Sequence, residues 1–274
     1  MRPAVVVLVL AACGSPSSSS DDGGTDGDAV PDDGVVAVKL PPVNAKADYQ
    51  LGGAYPPPSG VTVVSRDRTA ARVQDLYNIC YVNGFQIQIE DESFWLTNHP
   101  DLILRDSGGT PIRDPQWNEM LLDTRLAEKR AAIGATIGQW ISGCAQQGFD
   151  AIEIDNLDSY SRSQGLLTPE QAVQTMQYFS MTAHRENRAI AQKNSSELVA
   201  RKADLGTDFA VAEECNRYSE CDVYTAGYGD HVIVIEYRLQ DFDAGCAAFP
   251  NLSIVLRDVN LVTPSQTGYV YNGC

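Results

Sequence analysis

From Leu76 to the end of the chain, short apolar runs alternate with helix-patterned stretches, and this regularity restricts the fold more than any other feature. "LYNICYVN" (76–83), "DAIEID" (150–155), "AIAQKN" (189–194), "DFAVAEE" (208–214), "VIVIEY" (232–237) and "LSIVLRD" (252–258) each have the length and β-branched content of a buried strand. Between them lie helical patterns. In Arg125 to Gln147, Ile133, Ile137, Ile141 and Cys144 fall on one face, and Gly148 follows as a C-terminal cap. Thr168, Pro169 and Gln171 spell an N-cap, a first-turn proline and a capping box, with Ala172, Met176, Phe179 and Ala183 as the inward face. Shorter helices are expected near 195–205, 221–228 and 240–249. Strand–helix alternation implies parallel strands joined by helical crossovers. With "ADYQLGG" (47–53) and "VTVVS" (61–65) added there are eight strand candidates, which predicts an α/β fold, a (β/α)8 TIM barrel. The first two units lack room for a full helix between Gly53 and Val61. A doubly wound open sheet is the second choice, weakened because no Gly-rich phosphate loop follows an early strand.

The barrel does not begin at Met1. "MRPAVVVLVLAAC" has one Arg and an apolar run too short to span a bilayer, so residues 1–12 read as a signal peptide. Its last four residues have the form of a bacterial lipobox, which makes Cys13 the expected lipidation site. Residues 13–45, rich in Ser, Gly and Asp, read as a disordered, self-repelling tether, and 46–274 as the folded domain. The expected location is outside the cytoplasm, as a monomeric lipoprotein at the bacterial cell surface or facing the periplasm. Its only membrane contact would be the lipid anchor. The formal net charge is −16, and the tether's Asp residues account for only part of it. A surface this acidic lacks the basic footprint for nucleic acid and favours cationic or neutral ligands.

Setting Cys13 aside leaves Cys80, Cys144, Cys215, Cys221, Cys246 and Cys274, an even number in an exported chain. Six cysteines allow 15 connectivities. The preferred set pairs Cys80 with Cys144, because Cys144 lies on the buried helix stripe, Cys215 with Cys221, and Cys246 with Cys274. With three His and no C-x-x-C, neither a metal site nor a cofactor is expected.

"GFDAIEIDNLDSY" (148–160) places Asp150, Glu153, Asp155 and Asp158 in and around a strand. Alternation directs Ile152 and Ile154 to the helices, and Ala151, Glu153 and Asp155 into the barrel. Barrel chemistry sits where strands end, and polar residues recur there. They are Tyr81 and Asn83, Asp155 and Asp158, Lys193 and Asn194, Glu213 and Glu214, Glu236 and Tyr237, and Arg257. Carboxylates on strands separated by a single neighbour are placed to face each other across the mouth. Such a pair suits glycosidic cleavage, in which one acid protonates the leaving oxygen and the other attacks or stabilises the sugar carbon.

Five segments in order, "YNICYVNGFQ", "GFDAIEIDNLDSY", "QKN", "DFAVAEEC" with "EC" six residues on, and "VIEY", resemble glycoside hydrolase family 114, the endo-α-1,4-polygalactosaminidases. The resemblance runs from about Tyr49 to Cys274. It implies a (β/α)8 barrel acting on α-1,4-linked galactosamine and N-acetylgalactosamine polymers, with Asp155 and Glu213 as the catalytic pair. The nucleophile would be Asp155 and the acid/base Glu213, with retention of configuration. Ala212-Glu213-Glu214-Cys215 departs from the family's usual Asn-Glu-Gln-Cys, which leaves Glu214 as an alternative acid. Tyr81, Asp158, Lys193, Asn194, Glu236 and Tyr237 would bind substrate. The competing reading is a non-catalytic carbohydrate-binding surface lipoprotein on the same barrel.

Overall fold

The computed structural model describes residues 38–274. The signal peptide, Cys13 and most of the tether lie outside the described residues. In chain order the strands are β1 (Ala47–Gln50), β2 (Val63–Asp67), β3 (Tyr77–Asn83), β4 (Gln86–Ile87), β5 (Met120–Leu121), β6 (Ala151–Asp155), β7 (Ala189–Lys193), β8 (Phe209–Glu213), β9 (Val232–Glu236), β10 (Ser253–Arg257) and β11 (Tyr271–Gly273). The helices are α1 (Glu92–Asn98), α2 (Ala127–Gln147), α3 (Pro169–Arg185), α4 (Lys202–Leu205), α5 (Cys215–Tyr218), α6 (Cys221–Tyr228) and α7 (Leu239–Ala248).

β1, β2, β3, β6, β7, β8, β9 and β10 are hydrogen-bonded in that order, all parallel, and β11 joins β10 antiparallel. The result is a nearly closed barrel. Its seam is held by side chains. Buried Arg257 donates to the Tyr49 carbonyl and meets Asp48 at 3.3 Å, while Tyr271 donates to the Ala47 carbonyl at 3.2 Å. Arg257, read from sequence as a residue of the mouth, is thus a fastener of the closing edge.

Side-chain alternation sorts the core into two shells. Ala151, Ala191, Phe209, Val211, Ile233 and Val255 are among those that fill the barrel. Ile152 and Ile154 face outward against Ile133, Ile137, Ile141 and Phe179 of α2 and α3. Gly148 caps α2 in the left-handed region at φ 85°, and Thr168 with Gln171 closes the capping box of α3. Gly134 lets the two helices touch, since a Cβ there would sit 2.6 Å from Cβ of Tyr178. The disulfides are Cys80–Cys144, Cys215–Cys221 and Cys246–Cys274, the preferred set.

Three features depart from a regular eight-unit barrel. No helix links β1 to β2 or β2 to β3. Residues 84–124 form an insertion in which β4 pairs with β5 and further bridges join Ile103 to Leu122 and Arg113 to Met120. Residues 38–45, assigned to the tether by composition, pack under the N-terminal ends of the strands. There Asn44 donates to the Asn251 carbonyl, the Tyr77 hydroxyl donates to the Lys39 carbonyl, and Ala45 is buried.

Candidate active site

Three neighbouring strands end on a charged residue followed by a left-handed turn. After Asp155 comes Asn156 at φ 65°, after Lys193 come Asn194 and Ser195 at φ 50° and 59°, and after Glu213 comes Glu214 at φ 56°. Such conformations cost energy outside glycine, least for Asn, and concentrate where a chain must turn sharply. Here each turn swings the backbone away from the barrel axis and leaves the last strand side chain aimed into the mouth.

These side chains converge on one ammonium. Lys193 is almost fully buried, and its Nζ lies 3.4 Å from Glu153 Oε1, 3.4 Å from Asp155 Oδ1 and 3.3 Å from Glu213 Oε2. It also donates to the Tyr49 hydroxyl at 2.9 Å. Burial alone would lower its affinity for a proton. Asp155, Glu213 and Glu153 outweigh that and hold its affinity for a proton well above the ordinary lysine value.

The three carboxylates differ in access. Glu153 is sealed in the barrel, where it accepts from Tyr49 at 2.5 Å and from Ser65 at 2.8 Å, and burial raises its pKa against the pull of Lys193. Asp155 and Glu213 keep 18% and 28% of their side-chain surface, so they alone of the three can meet a ligand. The Tyr81 hydroxyl donates to Asp155 Oδ2 at 2.7 Å. Tyr237 donates to Glu213 Oε1, and Asn194 Nδ2 donates to Glu213 Oε2 at 3.0 Å. Burial first, and the adjacent carboxylate second, raise the pKa of both tyrosines, so each remains a proton-bearing donor.

The pair opens onto a cavity of about 1040 Å³. Asp158 stands on its wall, paired with Arg162 at 2.7 Å, and Arg162 also reaches Asp114 of the insertion at 2.5 Å. Glu214 lines the cavity away from the ammonium, paired with Arg217 at 2.5 Å. Two residues absent from the sequence reading also line it. Trp117 and Glu119 sit on the turn before β5, and burial pushes the Glu119 carboxyl up to about 7 although Asn83 donates to it at 2.8 Å. Tyr49 and Glu153 complete the cluster from below. The alternation pattern already turned Glu153 inward, whereas nothing in the local sequence marks Tyr49.

Two accessible carboxylates beside one ammonium, at the mouth of a parallel barrel, include the residue types that glycosidic cleavage uses. The family model for glycoside hydrolase family GH114 matches residues 29–274. The chain belongs to family GH114. Among solved structures, Aspergillus fumigatus Ega3 in complex with galactosamine has TM-score 0.68 and 20% identity over 87% of this chain and 98% of that one. The glycoside hydrolase domain of PelA from Pseudomonas aeruginosa has TM-score 0.55 and 12% identity over 82% and 97%. At these identities the likeness speaks to the fold. Curated protein sequences yield no match.

In this GH114 chain Glu236 does not reach the cavity, contrary to its assignment as a substrate-binding residue. Val232 and Val234 face the helical shell, and Glu236 keeps their parity. It is fully buried, accepts from the Asn216 amide at 2.9 Å through Oε1, and has no partner for Oε2 among the described residues. Burial pushes its carboxyl up to about 7 from a reference of 4.5. The native state therefore binds this proton more tightly than the unfolded chain, and its contribution to stability is lost as pH rises from about 4.5 through about 7. Glu236→Gln removes that titration. Its stability relative to the parent is expected to be about 3 kcal/mol more favourable at pH 8 than at pH 4.5, read by denaturant titration at both pH values. A difference that ignores pH would contradict this account of Glu236.

Proposed function

We propose that this chain hydrolyses α-1,4-linked polymers of galactosamine and N-acetylgalactosamine with retention of configuration. The observation carrying this reading is the single ammonium of Lys193 within 3.4 Å of both Asp155 and Glu213. Contacts of 3.4 Å and 3.3 Å to one atom limit the nearest carboxylate oxygens to at most about 6.7 Å apart, a range that contains the roughly 5–5.5 Å spacing of retaining enzymes.

In the first step Glu213 gives its proton to the glycosidic oxygen as that bond breaks. Asp155, oriented by Tyr81 and Lys193, bonds to the anomeric carbon. Lys193 is then left to two carboxylates, Glu153 and the Glu213 that has lost its proton. In the second step Glu213 takes a proton from water, whose oxygen attacks the same carbon and frees Asp155. Tyr237 and Asn194 hold Glu213 through both steps. Lys193 keeps its own proton too tightly to act as the acid.

Galactosamine without its acetyl group is cationic, and the acidic cavity supports that substrate electrostatically. The galactosamine bound to Ega3 favours the same class. The three disulfides support export to an oxidising compartment, and attachment through Cys13 belongs to the same proposal. Incubation with partly deacetylated α-1,4-galactosaminan, scored for new reducing ends, tests the reading. Reducing ends should accumulate, with a KM that rises as salt is added. A protein that binds the polymer without cutting it would instead be the carbohydrate-binding form.

A further inference from the structure

An indole is exposed at the cavity rim on a stiff support. Trp117 is 53% exposed, although the segment that carries it is tightly fastened. Asp114 accepts from the Gln116 amide at 2.8 Å and the Trp117 amide at 3.0 Å, and its own amide donates to the Glu119 carbonyl at 2.8 Å. The Asp114 carboxylate is buried and also meets Gln86 at 3.2 Å and Arg162 at 2.5 Å. This display gives up the roughly 1.5–3 kcal/mol that burying a large apolar side chain would contribute. Rigid presentation of an aromatic face beside a cavity is a binding geometry.

Two residues further on is a carboxylate without a cation. Glu119 Oε2 takes the Asn83 amide, while Oε1 accepts no hydrogen bond and Glu119 forms no ion pair among the described residues. Asn83 is the register partner of Asp155, so Glu119 stands beside the Asp155 end of the catalytic pair. Arg162, a cation on this wall, is already committed to Asp114 and Asp158.

We propose that Trp117 and Glu119 form a subsite that reads the free ammonium of a sugar adjacent to the bond cleaved. The indole face and the unpaired carboxylate oxygen both attract a cation, and the two attractions add when the ammonium lies between them. An acetamido group carries no charge and forfeits both, though its sugar ring still packs on the indole. The subsite thus distinguishes deacetylated from acetylated stretches of polymer. The partly buried carboxyl, with its affinity for a proton raised when empty, gains most when a cation replaces the proton. This inference rests on the aminosugar reading of the cavity.

Binding in the Asp155→Asn background tests it without turnover. Calorimetry at pH 7 compares α-1,4-galactosamine and α-1,4-N-acetylgalactosamine oligosaccharides. Adding Glu119→Gln should weaken the deacetylated ligand about tenfold and the acetylated one less than twofold. Adding Trp117→Ala should weaken both, the deacetylated more, and Trp117→Phe should recover part of each loss. Unchanged acetylated binding in Glu119→Gln doubles as the control for folding. Equal losses for both ligands, or no loss for either, overturn the subsite, as does a background protein that binds neither. A parent that releases no reducing ends while Glu119→Gln weakens only the deacetylated ligand refutes the hydrolase reading and leaves the subsite standing. A parent that cleaves while Glu119→Gln weakens both ligands equally, or neither, does the reverse.

Discussion

Asp155→Asn should lower kcat on α-1,4-galactosaminan on the order of 10⁴-fold or more while leaving substrate affinity within a few-fold of the parent. The substitution preserves shape and removes the negative charge that, in the proposed mechanism, bonds to the sugar. It also disturbs the donor set. Asp155 receives the Lys193 ammonium at one oxygen and the Tyr81 hydroxyl at the other, whereas Asn offers a single acceptor. Lys193 cannot accept, so the amide oxygen must face it, and the Tyr81 hydroxyl must rotate to take the amide N–H. That adjustment is local, and melting should stay close to the parent. Glu213→Gln should cost less, about 10²–10⁴-fold, because it removes proton transfer but not bond formation to Asp155. A variant carrying Asn at position 155 that cleaves at the parent rate would remove Asp155 from the mechanism.

Lys193→Met should be the most destabilising single change in the site, costing about 3–5 kcal/mol at pH 7. Among the described residues its ammonium is the only cation in contact with Glu153, which is sealed from water, and it also balances Asp155 and Glu213. Met fills similar space but leaves three carboxylates crowded together without compensation. For a domain of this size the cost corresponds to a melting temperature lower by about 10 °C. The sign of the pH dependence follows from Glu153. Its folded pKa is already raised by burial, and removing Lys193 takes away the strongest influence opposing that rise. The variant's deficit should therefore shrink as pH falls and Glu153 protonates, and grow toward neutrality. Denaturant titrations at pH 7 and pH 4.5 measure both quantities. A deficit that is absent, or equal at the two pH values, would mean that the ammonium does not serve this cluster.

Much of this site could be read from the chain because strand, turn and charge coincide. Asp155-Asn156 and Lys193-Asn194 pair a charged strand end with a residue that tolerates the left-handed turn. The Cys80–Cys144 link was legible for a related reason, since Cys144 continues the Ile133, Ile137 and Ile141 stripe that must meet a strand. Glu236 was misread because the same strand-end rule says nothing about facing. In a parallel strand buried on both sides, Val232 to Ile235 are apolar throughout, so no alternation reveals which parity turns inward. The insertion was invisible for another reason. β4 and β5 have two residues each, too few for any period, yet they anchor the turn that presents Trp117 and Glu119. Arg257 and β11 depend on closure of the seam, a contact between opposite ends of the domain that no local pattern encodes.

The central claim is that Asp155 and Glu213, held on one ammonium, act on the two sides of a single linkage. Glu213→Gln enzyme mixed with an aryl glycoside of an α-1,4-galactosamine oligosaccharide, whose leaving group needs no proton, should accumulate the covalent intermediate. Digestion and mass spectrometry should then find the glycosyl mass on the peptide that contains Asp155. A label on another carboxylate, or an inverted sugar product with no labelled peptide, would contradict the account.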